Sequence, residues 1–202
     1  MKPKLTYFDA PVSRGEECRL AFWLAGADFE DNRVKAADRA AEAAKTPFGG
    51  MPALEIPGKP VILAQSNAIL VYIGREHGLH PKDHYEAARH EAMMGHIEDV
   101  RNVIGATIRM TDDEKKRVRE DIAANYLPRW AASAERYMTD GPFFAGATPH
   151  VVDTKIFMIV RWLTGGKVDH IPTEIVAGQP KLMRAHDAFR DHPRVQAWYA
   201  RG

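Results

Sequence analysis

The chain has 202 residues, 28 basic and 27 acidic side chains, and a formal net charge of +1. That balance offers no global field for nucleic acid or an anionic membrane, so neither is expected as a partner. A single cysteine, Cys18, excludes an internal disulfide and a multi-cysteine zinc site.

No segment approaches the roughly 20 apolar residues of a membrane span. Met1-Lys2-Pro3-Lys4 leads into a strand-like run rather than a signal peptide, so a cytoplasmic location is expected. The elements begin with a short strand, Lys4 to Phe8, then a helix from Gly15 to Ala25 with Leu20, Trp23 and Leu24 on one face. Phe29 to Lys35 reads as a second strand and the alanine-rich Ala36 to Lys45 as a second helix. Ala53 to Ile56 and Val61 to Leu63 are strands joined by Pro57-Gly58-Lys59-Pro60, residues that suit a tight turn. Ser66 to Glu76 is helical again and is stopped by Gly78 and Pro81. The order β-α-β-α-β-β-α implies a small mixed sheet with helices on its faces.

From His84 onward the periodicity is helical throughout. His84 to Met110 and Asp112 to Thr139 are long helical patterns, the second opened by Thr111-Asp112-Asp113-Glu114. Val152 to Leu163 is apolar all round and is expected to be a buried central helix, and Lys181 to Phe189 and Arg194 to Arg201 finish the chain. The predicted division is therefore an α/β domain over 1–78 and an all-helical domain over 84–202.

Three separated motifs in the first domain fit one ligand site. The first strand delivers Tyr7 to a turn; Pro47-Phe48-Gly49-Gly50-Met51-Pro52-Ala53-Leu54 forms a Gly- and Pro-rich loop; and Ala64-Gln65-Ser66-Asn67 opens a helix with small polar residues. Each alone is weak. In this order they suggest a thioredoxin-like domain that binds a peptide-like thiol.

Over essentially its whole length the chain resembles the cytosolic glutathione transferases, and most closely their sigma class, which includes prostaglandin D synthases and lens S-crystallins. Leu5-Thr6-Tyr7-Phe8 resembles that class's first strand with its catalytic tyrosine, and Ser13-Arg14-Gly15-Glu16 the start of the following helix. Pro47 to Glu55 resembles the glutathione loop with its cis-proline, Gln65-Ser66 the pair that holds the γ-glutamyl end, and Glu98-Asp99 an acidic pair facing a partner subunit. The resemblance implies glutathione as co-substrate, a homodimer, and Asp99 reaching the ligand's ammonium in the neighbouring subunit. It implies Tyr7 and Arg14 as catalytic residues, and Tyr7, Arg39, Gly50, Met51, Pro52, Gln65 and Ser66 around glutathione. A pocket for a hydrophobic electrophile would draw on Phe8, Arg14, Val103, Ile104, Thr107 and Trp162. Val103, Ile104 and Thr107 also stand at helical spacing, and core packing accounts for them equally.

The chemistry asked of Tyr7 is modest. A free thiol with a pKa of about 8.5 is about 3% thiolate at neutral pH. Lowering that pKa by about two units needs roughly 2.7 kcal/mol, and one hydrogen bond to a charged group is worth about 1.5–3 kcal/mol. Arg14 would add positive potential. Exposed N–H groups where the Gln65-Ser66 helix begins would take a carboxylate. An X-Pro bond such as Met51-Pro52 can be cis at small cost, which would let the Met51 backbone pair with the ligand like an added strand.

The chain departs from the sigma pattern in several places. One extra residue separates Tyr7 from Arg14, through Asp9-Ala10-Pro11-Val12-Ser13. Arg39 and Ala43 stand where the class has a tryptophan and a lysine for the glycyl end, and Gly50 replaces the usual basic or amide residue. Asp153 keeps the acidic half of a capping box whose other half is His150. A lone helical cysteine such as Cys18 is expected to be packed and inert, and the nine histidines have no ligand spacing, so no metal is assigned. The rival to a transferase is a non-catalytic carrier or crystallin-like structural protein on the same fold. Tyr7, Gln65 and Ser66 argue against it, while Arg39, Ala43 and Gly50 keep it open. A thiol-disulfide oxidoreductase would need the paired cysteines this chain lacks.

Overall fold

The computed structural model describes residues 1–201, which form two compact units. The first comprises Met1–Ala87 with the segment from His192 onward; the second is Ala88–Asp191.

A four-stranded sheet in the order β2-β1-β3-β4 organises the first unit. Its strands are β1 (Lys4–Phe8), β2 (Glu30–Val34), β3 (Ala53–Glu55) and β4 (Leu63–Ala64), with β1 parallel to β2 and antiparallel to β3. Helix α1 (Ser13–Ala25) makes the crossover from β1 to β2. A 3₁₀ turn at Ala36–Asp38 precedes α2 (Arg39–Ala44), so the alanine-rich stretch yields a shorter helix than its composition predicts. None of its residues is buried, and a helix without an apolar face gains nothing from packing to extend itself. Helix α3 (Ser66–His77) follows β4 directly. Leu5, Leu20, Phe22, Leu54, Ile69, Leu70 and Ile73 are closed from solvent and make the core between the sheet, α1 and α3. Gly26 ends α1 in the left-handed region, φ 67°, where its N–H closes onto the last turn.

The second unit is helical. Helix α4 (His84–Gly105) carries a buried face of Met93, Met94, Ile97, Val100 and Ile104. The single helix expected over Asp112 to Thr139 is three pieces: α5 (Asp112–Asp121), a π-helical turn at Ile122–Tyr126, and α6 (Leu127–Tyr137). Pro128 lies in the first turn of α6, and a proline has no N–H for the i→i−4 ladder, so the extra residue of the π turn falls where that ladder is interrupted. The capping box foreseen at the start of α5 is present, with the Thr111 N–H donating to Glu114 Oε2 at 3.2 Å. Helix α7 (Val151–Thr164) is buried along its first ten residues, as its all-round apolar sequence predicts. Helix α8 (Pro180–Asp191) buries Leu182, Ala185 and Phe189, and its first N–H groups, on Lys181 and Leu182, donate to the Glu135 carboxylate of α6 at 2.9 and 3.0 Å. Helix α9 (Pro193–Tyr199) returns to the first unit and packs on α1, where Trp23 Nε1 donates to Arg194 O at 2.6 Å and the Trp23 and Trp198 rings lie 5.6 Å apart.

Asp153 ties down the start of α7. Its Oδ2 accepts the His150 N–H and its Oδ1 accepts the Phe144 N–H, each at 2.8 Å, with the carboxyl 1% exposed. Burial pushes its pKa up to about 7 against the lowering effect of these N–H bonds.

Candidate functional site

Strand register brings the three sequence motifs together. Thr6 pairs with Ala53, and Ala53 with Ala64. The next residues along the three strands are Tyr7, Pro52 and Gln65, which therefore follow at the same end of the paired segments. Neighbouring strands are about 4.8 Å apart, so the end of β1, the entry to β3 and the β4–α3 junction form one continuous rim. On the other side Tyr7 pairs with Arg33 and Phe8 with Val34, and the chain leaving β2 leads into α2 and Arg39.

Tyr7 is 4% exposed, its ring 4.6 Å from that of Phe8. The Arg39 guanidinium lies 4.3 Å above the Phe8 ring, a cation–π contact that holds an exposed arginine beside the tyrosine. Lys45, the other cation of this segment, is paired with Glu42 at 2.6 Å. The Met51–Pro52 bond is cis. Gln65 has φ 70° and ψ 117°, a region sparsely occupied by residues with a side chain and found at ligand clamps more often than elsewhere. Ser66 is buried at the first position of α3, where helix N–H groups lack intrahelical partners. Gly50 donates its N–H to Thr46 Oγ1 at 2.9 Å, closing the loop before Met51. Arg14 sits half-buried in the first turn of α1.

The remaining sequence candidates belong to the second unit. Asp99 is exposed on α4, with His96 Nδ1 4.0 Å from its Oδ2. Its neighbour Glu98 turns inward, where Oε1 accepts from buried Lys155 and from Arg101 at 2.9 Å. Val103 is partly exposed and Ile104 buried on α4; Trp162 is partly exposed on α7. The Thr107 hydroxyl, fully buried, donates to Ile104 O and accepts from Arg119 Nε, both at 2.7 Å. Among the described residues no cluster of histidine, cysteine or acidic side chains could hold a metal, and Cys18 is buried in α1.

Sequence reasoning passed over Arg19, which is fully buried. Its guanidinium donates to Asp31 Oδ1 at 2.8 Å, to Phe8 O and Ala10 O at 3.0 Å, and to Glu16 Oε2 at 3.4 Å, clamping the turn that follows Tyr7. The run Glu16-Glu17-Cys18-Arg19 was the available signal: three charges within four residues of a helix that must cover a sheet need internal partners.

Comparisons with known proteins identify the family. Residues 3–75 match the model for the glutathione S-transferase N-terminal domain, and residues 98–202 that for the C-terminal domain. Glutathione S-transferase 1 of Ascaris suum is 29% identical over 204 residues, covering 98% of this chain and 95% of that protein. Hematopoietic prostaglandin D synthase of Gallus gallus is 30% identical over 195 residues, covering 96% and 94%. The structure of prostaglandin synthase D of Nilaparvata lugens superposes with a TM-score of 0.86 at 25% identity, covering 100% of this chain and 98% of that one. With both domain models matched in order and relatives aligned nearly end to end, the chain belongs to the glutathione S-transferase family.

Proposed function

We propose that the protein is a glutathione transferase of sigma type in which the Tyr7 hydroxyl holds the glutathione thiolate for attack on a hydrophobic electrophile. The register of Thr6, Ala53 and Ala64, which brings the next residues Tyr7, Pro52 and Gln65 to one end of the sheet, supports this best. In an extended glutathione laid along that rim, the cysteinyl backbone pairs with Met51, the γ-glutamyl carboxylate meets Gln65, Ser66 and the N-terminus of α3, and the sulfur comes under Tyr7. The glycyl carboxylate extends toward Arg39, poised over Phe8.

The reaction then follows from the residues. Tyr7 donates its O–H to sulfur and stabilises the thiolate; Arg14, in the adjacent helix turn, adds positive potential that favours the anion. The thiolate attacks the electrophilic carbon, forming a thioether while the leaving group departs with its electron pair. A substrate rearranged rather than substituted would give glutathione-dependent isomerisation from the same thiolate. On the first unit Phe8 and Arg14 are the residues offered to a second substrate; on the second unit Val103 and Trp162 are partly exposed while Ile104 and Thr107 are buried. Glutathione is assigned to the domain predicted over 1–78, which lies wholly within the first unit. Asp99, exposed on α4, meets the ligand's ammonium from a partner subunit in a homodimer.

The test is the ultraviolet difference spectrum of bound glutathione across pH, for the native protein and Tyr7→Phe. A thiolate band well below the ordinary thiol pKa of about 8.5, shifted up by a unit or more in the variant, is the expected result. Saturable binding with no such band points to a carrier instead. A gel-filtration mass near one subunit would sink the homodimer.

A further inference from the structure

The root of the Tyr7 side chain lies close against the backbone of Gly15. A Cβ built on Gly15 would fall 1.9 Å from Tyr7 Cδ1, 2.0 Å from Cγ and 2.6 Å from Cβ. Carbon atoms in contact prefer about 3.5–4.0 Å, so even alanine lacks about 1.5 Å. The atoms struck are those nearest the tyrosine backbone, which cannot swing aside as the tip of a flexible side chain would. The chain reaches Gly15 by an unusual path: Ser13 has φ 55°, a left-handed conformation at a residue with a Cβ, two positions earlier.

Neither side of this contact is free to retreat. Arg19 donates to the carbonyls of Phe8 and Ala10, bracketing the turn after Tyr7, and reaches back to Asp31 of β2 and Glu16 of α1. Glu16 is held in turn from the end of the chain, accepting Trp198 Nε1 at 2.7 Å in a buried bond. Glu16, the residue after Gly15, is therefore fastened by both Arg19 and Trp198.

We propose that Gly15 is a positioning residue for the reaction: its missing side chain is the space that sets where the Tyr7 hydroxyl meets the glutathione sulfur, with Arg19 clamping the turn that keeps the ring there. The inference rests on the reading of Tyr7 as thiolate donor. A hydrogen bond to sulfur does not survive a displacement of about 1.5 Å, so a methyl group at position 15 removes the donor without touching the phenol.

The experiment compares native protein, Gly15→Ala, Tyr7→Phe and the double variant. The readouts are the pKa of the bound glutathione thiol by ultraviolet titration, the affinity for S-methylglutathione, and thermal stability. Gly15→Ala is expected to raise the thiol pKa by at least about one unit, so that kcat/KM below that pKa falls about tenfold. Affinity for S-methylglutathione, which has no thiol to ionise, is expected to change less than about twofold. In the Tyr7→Phe background Gly15→Ala should add no further shift. A purely structural glycine would lower stability and leave the thiol pKa where it was. That result, with Tyr7→Phe shifting as expected, overturns the inference while Tyr7 keeps its role. No shift in Tyr7→Phe removes both.

Should Gly15→Ala fail to fold, Arg19→Lys serves in its place. It keeps a cation beside Asp31 and Glu16 but cannot span both the Phe8 and Ala10 carbonyls. The expected result is an upward shift of the same sign with at least a twofold loss of kcat/KM; an unchanged thiol pKa overturns the inference.

Discussion

Replacing Asp153 by alanine should destabilise the protein by an amount that depends on pH in a definite direction. The carboxyl is buried and accepts the buried N–H of Phe144 and the partly buried N–H of His150, so truncation leaves both donors without their acceptor. At about 1–3 kcal/mol for each, the loss is about 2–6 kcal/mol. The pH dependence comes from the same burial. Folding raises the Asp153 pKa from 3.8 to about 7, so the folded state binds this proton more tightly than the unfolded chain. Its contribution is complete below the unfolded pKa and is lost as pH rises through the folded one. About three pKa units at 1.36 kcal/mol each give a decline of about 4 kcal/mol between pH 4 and 7. Alanine has no proton to lose. The penalty of Asp153→Ala should therefore be larger near pH 5 than near pH 8, by about 3 kcal/mol. Urea unfolding of both proteins at one concentration, followed by far-ultraviolet circular dichroism at both pH values, measures it. A penalty that is flat or grows with pH would refute the reasoning. It would mean that the N–H bonds outweigh desolvation and the carboxylate stays ionised throughout.

His186 should act with the opposite sign, because burial, partly offset by Asp187, lowers its pKa. Stability from this group is present above the unfolded pKa of about 6.5 and is lost as pH falls through the folded value. His186→Phe, which can keep the stacking on Phe157, is expected to flatten the acid limb of a melting-temperature profile; an unchanged limb refutes the assignment. Trp198→Phe deletes the N–H donated to buried Glu16 and should cost about 1.5–3 kcal/mol in chemical denaturation. A change below about 0.5 kcal/mol would show the bond to be dispensable. Arg39→Ala should raise KM for glutathione roughly three- to tenfold with kcat nearly unchanged, since an exposed ion pair is worth about 1 kcal/mol. A glutathione esterified at its glycyl carboxylate should not distinguish the variant from the native protein, and equal sensitivity to both ligands would remove Arg39 from the glycyl end.

Local sequence by itself determined the alternation of strands and helices and the residue types offered at the proposed site. Alternating strand and helix periods up to residue 80, and unbroken helical periods after it, reflect side-chain spacing on a strand or a helix face, which neighbouring residues suffice to specify. The Tyr7, Met51-Pro52 and Gln65-Ser66 motifs were legible for the same reason, since each is a contiguous run whose residue types suit one backbone job. Where one continuous helix was expected, Pro128 interrupted the ladder and a π turn took up the break. Only tertiary structure decided which distant groups meet. Glu98 looked like one half of an exposed acidic pair, yet its partners are Lys155 on another helix and Arg101 one turn along. The buried charges of α1 found Asp31 of the neighbouring strand and Trp198 near the far end of the chain. Gly15 read as part of a helix start, and the room its missing side chain leaves for Tyr7 exists only because β1 and α1 pack at that distance. Periodicity encodes which face of an element is buried; which atoms fill the facing space depends on register and packing of segments far apart in sequence, and no local pattern carries that.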